Sequence, residues 1–292
     1  MYESPYSQSH IAFLLSIEER FVVKSQVHKS KWSQRSHLVD LFYKLTKDSG
    51  AGGVSTFFHT ISCLDRILEK YPEVKIEDKT VALACFTLSC KWDDENKIKI
   101  EDVSSLVDLK QLWKTETLVW ESLEFDMIFA NPTYFLRYYS YHVDSNFHAT
   151  RTRAKLILYI AVHHPHFYRF NSSHLAAAAL YIGGKQNVTN EWLTRFTAVT
   201  GYTVFMLDAT IDFLCDILTT YINKFDKDKT PVPFVKDDIY WIKANNITQH
   251  IMEFHKYTDT QQIVVALEYM LGYRIDVATQ SCQTGNVVPS RE

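Results

Sequence analysis

The chain has 292 residues with only 8 Gly and 7 Pro, about 5% of the total, where roughly 12% is ordinary. That shortage excludes collagen-like, Gly-rich and Pro-rich disordered chains and argues against a turn-rich all-β fold. A net charge of −3, with 46% hydrophobic and 14% aromatic residues, supplies a packed core and lacks the basic excess of a dedicated nucleic-acid binder.

The adjacent glycines at 52–53 and 183–184 build neither a dinucleotide fingerprint nor a phosphate loop, so the common nucleotide-binding enzymes are disfavoured. Five cysteines (Cys63, Cys85, Cys90, Cys215 and Cys282) form no CxxC pair and read as buried reduced thiols. Residues 1–8 are polar, unlike a signal peptide. The longest apolar stretch, residues 175–182, falls short of the roughly 18–20 residues that cross a bilayer. The expectation is a soluble intracellular protein of the nucleus, the cytoplasm or both.

Apolar residues recur at helical spacing along most of the chain. Ile11, Leu14, Leu15 and Ile17, then Phe21 and Val22, mark an N-terminal amphipathic helix. A second helix is predicted over residues 32–47, with Leu38, Leu41, Phe42 and Leu45 as its stripe. The glycines at 50–53 break the chain, and a third helix follows over 55–69, ended by Pro72. Residues 80–91 form a helix of mostly small side chains, Ala82, Ala84, Cys85, Ser89 and Cys90, suited to the centre of a bundle. A short helix over 101–106 and a long one over 109–125 complete a first unit, closed by Asn131-Pro132.

The order then repeats. Helices are predicted over 132–141 and 150–163, and Pro165 breaks the chain. Asn171-Ser172-Ser173 caps a small-residue helix through Ala176–Ala179, which Gly183-Gly184 closes. A short helix over 190–199, a cap at Gly201-Tyr202-Thr203 and a long helix over 204–221 follow. The Leu-Ala pair at 83–84 recurs 92 residues on at 175–176, and Glu116 stands 92 residues before Asp208. The chain therefore reads as all-α, with two five-helix units. A charged linker over 224–229 leads past Pro231 and Pro233 to weaker helices over 239–254 and 261–271, and a polar, mobile tail from 279.

Five segments in order resemble the cyclin family: Gln34-Arg35-Ser36-His37-Leu38-Val39-Asp40, Cys63-Leu64-Asp65-Arg66-Ile67-Leu68, Ser89-Cys90-Lys91-Trp92-Asp93-Asp94, Glu116 ahead of Leu123-Glu124-Phe125-Asp126, and Asn131-Pro132-Thr133-Tyr134-Phe135-Leu136. The resemblance covers residues 11–221. It implies an N-terminal helix region (1–30), a cyclin box (31–128), a C-terminal cyclin fold (129–224), C-terminal helices (225–275) and a tail (276–292). It also implies a regulatory subunit that binds the C-helix of a cyclin-dependent protein kinase and holds the active state. No catalytic residue, cofactor, metal, small-molecule ligand, nucleic acid or membrane is expected.

Residue by residue, Arg35 and Asp65 match the family's internal ion pair, and Lys91 and Glu116 the polar residues facing the kinase. Phe13, Phe21 and Val22, on the N-terminal helix with Glu18-Glu19-Arg20, are candidates for kinase contact or core, and that helix favours a cell-cycle-type member. The substrate-docking patch for R-x-L motifs falls on Gln34, His37, Leu38 and Leu41, where Gln34 and His37 make it polar. Arg35–Leu38 spells R-x-x-L but lies inside a box helix, which leaves regulated proteolysis unsupported. His163-His164-Pro165-His166 is too tightly spaced for a metal site without another ligand type nearby. Two alternatives stand beside this reading: a cyclin-like interaction protein that activates no kinase, and a transcription scaffold of the same fold. The scaffold predicts a basic stripe and a CxxC zinc ribbon.

Overall fold

The computed structural model describes residues 6–22, 32–49, 53–72, 79–93, 100–144, 147–184 and 188–228. Among the described residues all regular structure is helical. Helix α1 (Gln8–Ile17) starts where the Ser7 hydroxyl accepts the His10 N–H at 3.2 Å, and it buries Ile11, Leu14 and Ile17 while Phe13 faces solvent. A 3-10 turn at Glu18–Phe21 follows.

The first unit is α2 (Trp32–Ser49), α3 (Val54–Lys70), α4 (Lys79–Asp93), α5 (Ile100–Ser104) and α6 (Leu109–Ser122). The second is α7 (Pro132–Val143), α8 (Phe147–Ala161), α9 (Ser172–Gly184), α10 (Asn190–Thr200) and α11 (Asp208–Asp228). The small-residue helices are central, as their composition predicts: α4 packs against α3 and α6, and α9 against α7 and α8. Helix α4 is buried without interruption from Ala82 to Cys90, and α9 at every position but His174. Small side chains let two neighbours approach such a helix from opposite sides.

Two predicted boundaries shift, and one pair of glycines has a further role. Gly183 and Gly184 are the last two residues of α9. A Cβ on Gly183 would stand 3.0 Å from the Ala154 backbone N and 3.1 Å from the Thr150 carbonyl, so the glycine is there for close approach of α8. The true left-handed cap is Gly201, φ 78°, at the end of α10.

Helix α6 stops at Ser122, not at Phe125, because Glu124 (φ 57°) and Phe125 (φ 59°) turn left-handed. The Phe125 N–H reaches back to the Trp120 carbonyl at 3.0 Å, the 6→1 bond of a helix end built without glycine. Lys70 holds this turn by donating to the Ser122 carbonyl (2.9 Å) and the Glu124 carboxylate (2.8 Å), and Arg66 donates to the Asp126 carbonyl (3.0 Å). Finally, α11 runs on to Asp228 through the charged stretch read as a linker, since Lys and Asp alternation contains no helix breaker before Pro231. The remaining C-terminal elements read from the sequence, and Cys282, lie outside the described residues.

An aromatic seam joins the units. Tyr159 packs on Phe57 and Phe58 (centroids 5.1 and 5.4 Å), Phe129 on Tyr168 (5.5 Å), and the Tyr168 hydroxyl donates to the Phe58 carbonyl at 2.7 Å.

Candidate functional site

The Arg35–Asp65 pair forms as predicted and is more extensive than predicted. Arg35 Nε and Nη2 each donate to one Asp65 carboxylate oxygen at 2.7 Å, and both side chains are at most 1% exposed. Its Nη1 donates to the Val162 and His163 carbonyls at 2.8 and 3.1 Å. These carbonyls lie just past the end of α8, where helix-terminal acceptors favour a cation. One guanidinium thus ties α2 and α3 to the second unit. Nearby, burial pushes the Cys85 thiol well above its ordinary range, with Cys63 and Asp65 adding to it. Cys63, Cys85, Cys90 and Cys215 are all buried.

Lys91 and Glu116 are brought together by the packing of α4 on α6. Lys91 sits in the last turn of α4, and its Nζ donates to Glu116 Oε2 at 2.6 Å. The exposures are unequal: the Lys91 side chain is 55% exposed and that of Glu116 11%. The other carboxylate oxygen, Oε1, accepts the Thr87 hydroxyl. Large apolar side chains stand exposed on the same two helices and the turn after α6: Trp92, next to Lys91 in the chain, Trp113, one turn before Glu116, and Phe125. Phe13, Trp92 and Ile128 line a cleft of about 140 Å³ that brings α1 to the same face. The left-handed turn after α6 holds the Phe125 ring 66% exposed.

The remaining predicted residues divide. Phe21 is core: it is 4% exposed and packs edge-on to Phe129 at 5.6 Å, with the Arg66 and Arg20 guanidinium groups at 5.4 and 5.8 Å. Val22 is half-buried and Phe13 exposed. In the predicted docking patch Leu38 is buried, Gln34 and Leu41 are half-buried, and His37 is exposed. His37 instead lines a groove of about 660 Å³ between α2 and α11, with Asp40, His163, His164 and Asp216. Among the described residues no group of three His, Cys, Asp or Glu side chains is placed to hold a metal ion.

Two residues escaped the sequence reading. Thr87 is one, a threonine in a buried helix with nothing local to mark its partner. Glu18 is the other. It is 5% exposed and accepts the Ser173 N–H (2.9 Å) and hydroxyl (2.8 Å), capping α9 from 155 residues away. Burial pushes its carboxyl up, against the two Ser173 hydrogen bonds that pull it down. Elsewhere, Arg137, Arg151 and Lys155 surround a hollow of about 510 Å³ with Tyr6 and Tyr134. Burial and the neighbouring cations hold Arg151 and Lys155 below their usual basicity.

With this geometry in place, comparison with known proteins is direct. The family described as cyclin, N-terminal domain, matches residues 9–128, and that described as cyclin, C-terminal domain, matches residues 130–230. The chain is 24% identical over 167 residues to a G2/mitotic-specific cyclin-B of Emericella nidulans, covering 56% of this chain and 35% of the relative. It is 23% identical over 252 residues to a G2/mitotic-specific cyclin-A1 of Caenorhabditis elegans, covering 85% and 46%. Its match thus spans less than half the length of these relatives. The fold resembles a viral cyclin from herpesvirus saimiri, with a TM-score of 0.57, 15% identity, and coverage of 70% of this chain and 96% of that one. Both halves of the chain carry the family's domains in order, on the fold the family shares, and the chain belongs to the cyclin family.

Proposed function

We propose that this cyclin is the regulatory subunit of a cyclin-dependent protein kinase and that the face formed by α4, α6 and α1 receives the kinase's C-helix. The observation that carries the reading is the Lys91–Glu116 pair, a cation and a carboxylate beside exposed Trp92, which shares an apolar cleft with exposed Phe13 and Ile128. An apolar helix face laid on that surface would bring its backbone carbonyls to Lys91 and its N–H groups to Glu116, a helix-in-groove mode. A kinase positions ATP only when its C-helix Glu pairs with its β3 Lys. A partner that binds that arrangement alone shifts the population toward it. The phosphate chemistry then belongs to the kinase, which accords with the absence of a phosphate loop from this sequence. Such a subunit acts where its kinase acts, in the nucleus or cytoplasm.

The proposal does not extend to R-x-L docking, because Leu38 is in the core and Gln34 and His37 are polar. The test is the double variant Lys91→Ala with Glu116→Ala. Removing both partners leaves no unpaired charge, and the Thr87 hydroxyl keeps the Leu83 carbonyl as an acceptor, so the melting temperature should change little. Co-purification of a kinase, and phosphorylation of a generic peptide by the eluate, should be lost. Unchanged kinase recovery would overturn the assignment of this face.

A further inference from the structure

Glu116 is held at both oxygens, and the two holds differ in kind. On one side is Lys91, whose long side chain is 55% exposed and makes a single 2.6 Å contact. On the other is Thr87, 4% exposed and rigid within the buried part of α4. Thr87 stands four residues before Lys91, so one face of α4 presents first a hydroxyl and then an ammonium to the same carboxylate. The Thr87 hydroxyl has one proton and three acceptors in reach: the Leu83 carbonyl at 3.0 Å, the Ala84 carbonyl at 3.2 Å, and Glu116 Oε1. A carboxylate is a stronger acceptor than a peptide carbonyl, so it takes the main share of the hydrogen bond.

We propose that Thr87 is a positioning residue for the kinase-facing carboxylate. This rests on the reading of Lys91 and Glu116 given above. In the free protein Lys91 and Glu116 satisfy each other. To meet a helix's carbonyls and N–H groups at once they must part, and Lys91, the exposed member, is the one free to swing outward. Glu116 then loses its counterion while remaining mostly buried. The Thr87 hydrogen bond is the contact that does not depend on the kinase. It keeps one carboxylate oxygen stationary and turned inward, and leaves the other directed at the incoming N–H groups. Thr87 thereby lets an internal ion pair open into two separate contacts.

The experiment measures the affinity of the full chain for the purified catalytic subunit of a cyclin-dependent kinase, by calorimetry or biolayer interferometry. Thr87→Val keeps the shape and removes the donor. Hydrogen bonds to charged groups are strong enough that affinity should fall roughly 10-fold or more. Thr87→Ser, which restores the donor, should return it to within about threefold of the parent. In a Glu116→Ala background the added Thr87→Val change should do nothing further to the affinity that remains, because a residue acting through Glu116 has no acceptor left to orient. Should Thr87→Val not fold, Thr87→Cys replaces it as a near-isosteric weak donor.

Parental affinity in Thr87→Val would overturn the inference. So would an equal loss with and without Glu116, which marks a purely structural role. The Lys91→Ala, Glu116→Ala protein separates the two readings. If it binds normally, the kinase-facing assignment falls and this inference with it. If it loses binding while Thr87→Val does not, only Thr87 is dismissed.

Discussion

Arg35 shows what one side chain is asked to do. Its guanidinium is fully buried, and four acceptors satisfy it, two on α3 and two on the segment after α8. A buried pair of this kind adds little to stability when compared with apolar residues of the same volume, but breaking it strands a charge. Asp65→Ala removes the partners of Nε and Nη2 and leaves the Arg35 charge with two carbonyls. The expected cost is about 3–5 kcal/mol, or a melting temperature lower by on the order of 10 °C. The double change Arg35→Met with Asp65→Ala should recover much of that loss, because no charge is then left buried. Calorimetric melts of the two proteins check this, and a near-neutral Asp65→Ala would mean that the pair does not hold the units together. Arg35 and Asp65 were found by resemblance. The Val162 and His163 carbonyls were not, because a backbone acceptor 127 residues away leaves no mark on side-chain spacing.

At the scale of the element, periodicity and composition located the described helices, and failed where tertiary contact decides a boundary. The small residues of α4 and α9 identified both central helices because a crowded centre admits little else. The pair Gly183-Gly184 was read as closing α9, where the helix does end, but its close approach to α8 was not legible, because a glycine required for close approach and one required for positive φ look the same in a sequence. The α6 terminus was misread because Glu124 and Phe125 adopt a conformation that glycine usually supplies, held there by Lys70 and Arg66 from α3. The two kinds of glycine are separable by substitution. Gly183→Ala drives a methyl into the backbone of α8, 3.0 Å from the Ala154 N, and neither helix can yield without disturbing the core. Overpacking of this kind costs about 1–3 kcal/mol. Gly201→Ala meets nothing within 4 Å and pays only for its left-handed φ of 78°, about 1–2 kcal/mol. Urea unfolding should show the first variant losing packing as well as stability, with weakened near-ultraviolet circular dichroism. The second should lose stability alone. A Gly183→Ala protein as stable as the parent would mean that the approach of α8 does not require a glycine there.

Across the whole molecule, the junction of the two units is where ionisation and folding meet. The segment after α8 carries His163, which contacts Asp40 of α2 through Nε2 at 3.0 Å and the Tyr159 carbonyl through Nδ1 at 2.9 Å. Its neighbour His164 accepts the His166 N–H on Nδ1 at 3.2 Å and packs edge-on against Phe213 of α11 at 5.4 Å. Burial, with His166 and Arg35 adding to it, pushes the His164 imidazole down to about 4. In the unfolded chain the same group titrates near 6.5. Between those values the unfolded state binds the extra proton, so stability rises with pH. The His164 contribution is complete above about pH 6.5 and is lost progressively as the pH falls toward 4. His142, His166 and His174, also held low by burial, act in the same direction. Glu18, with its carboxyl pushed up, acts in the opposite one: its contribution is fully present below about pH 4.5 and declines as the pH rises. The net dependence sums these opposing contributions, and the His164 share is isolated by difference. His164→Asn keeps an acceptor for the His166 N–H and removes the titration. Urea unfolding between about pH 7 and pH 5 should show the parent losing more stability on acidification than the variant. Parallel slopes would mean that His164 is solvated in the folded protein, and that the contact between α11 and the segment after α8 is looser than the Phe213 packing requires.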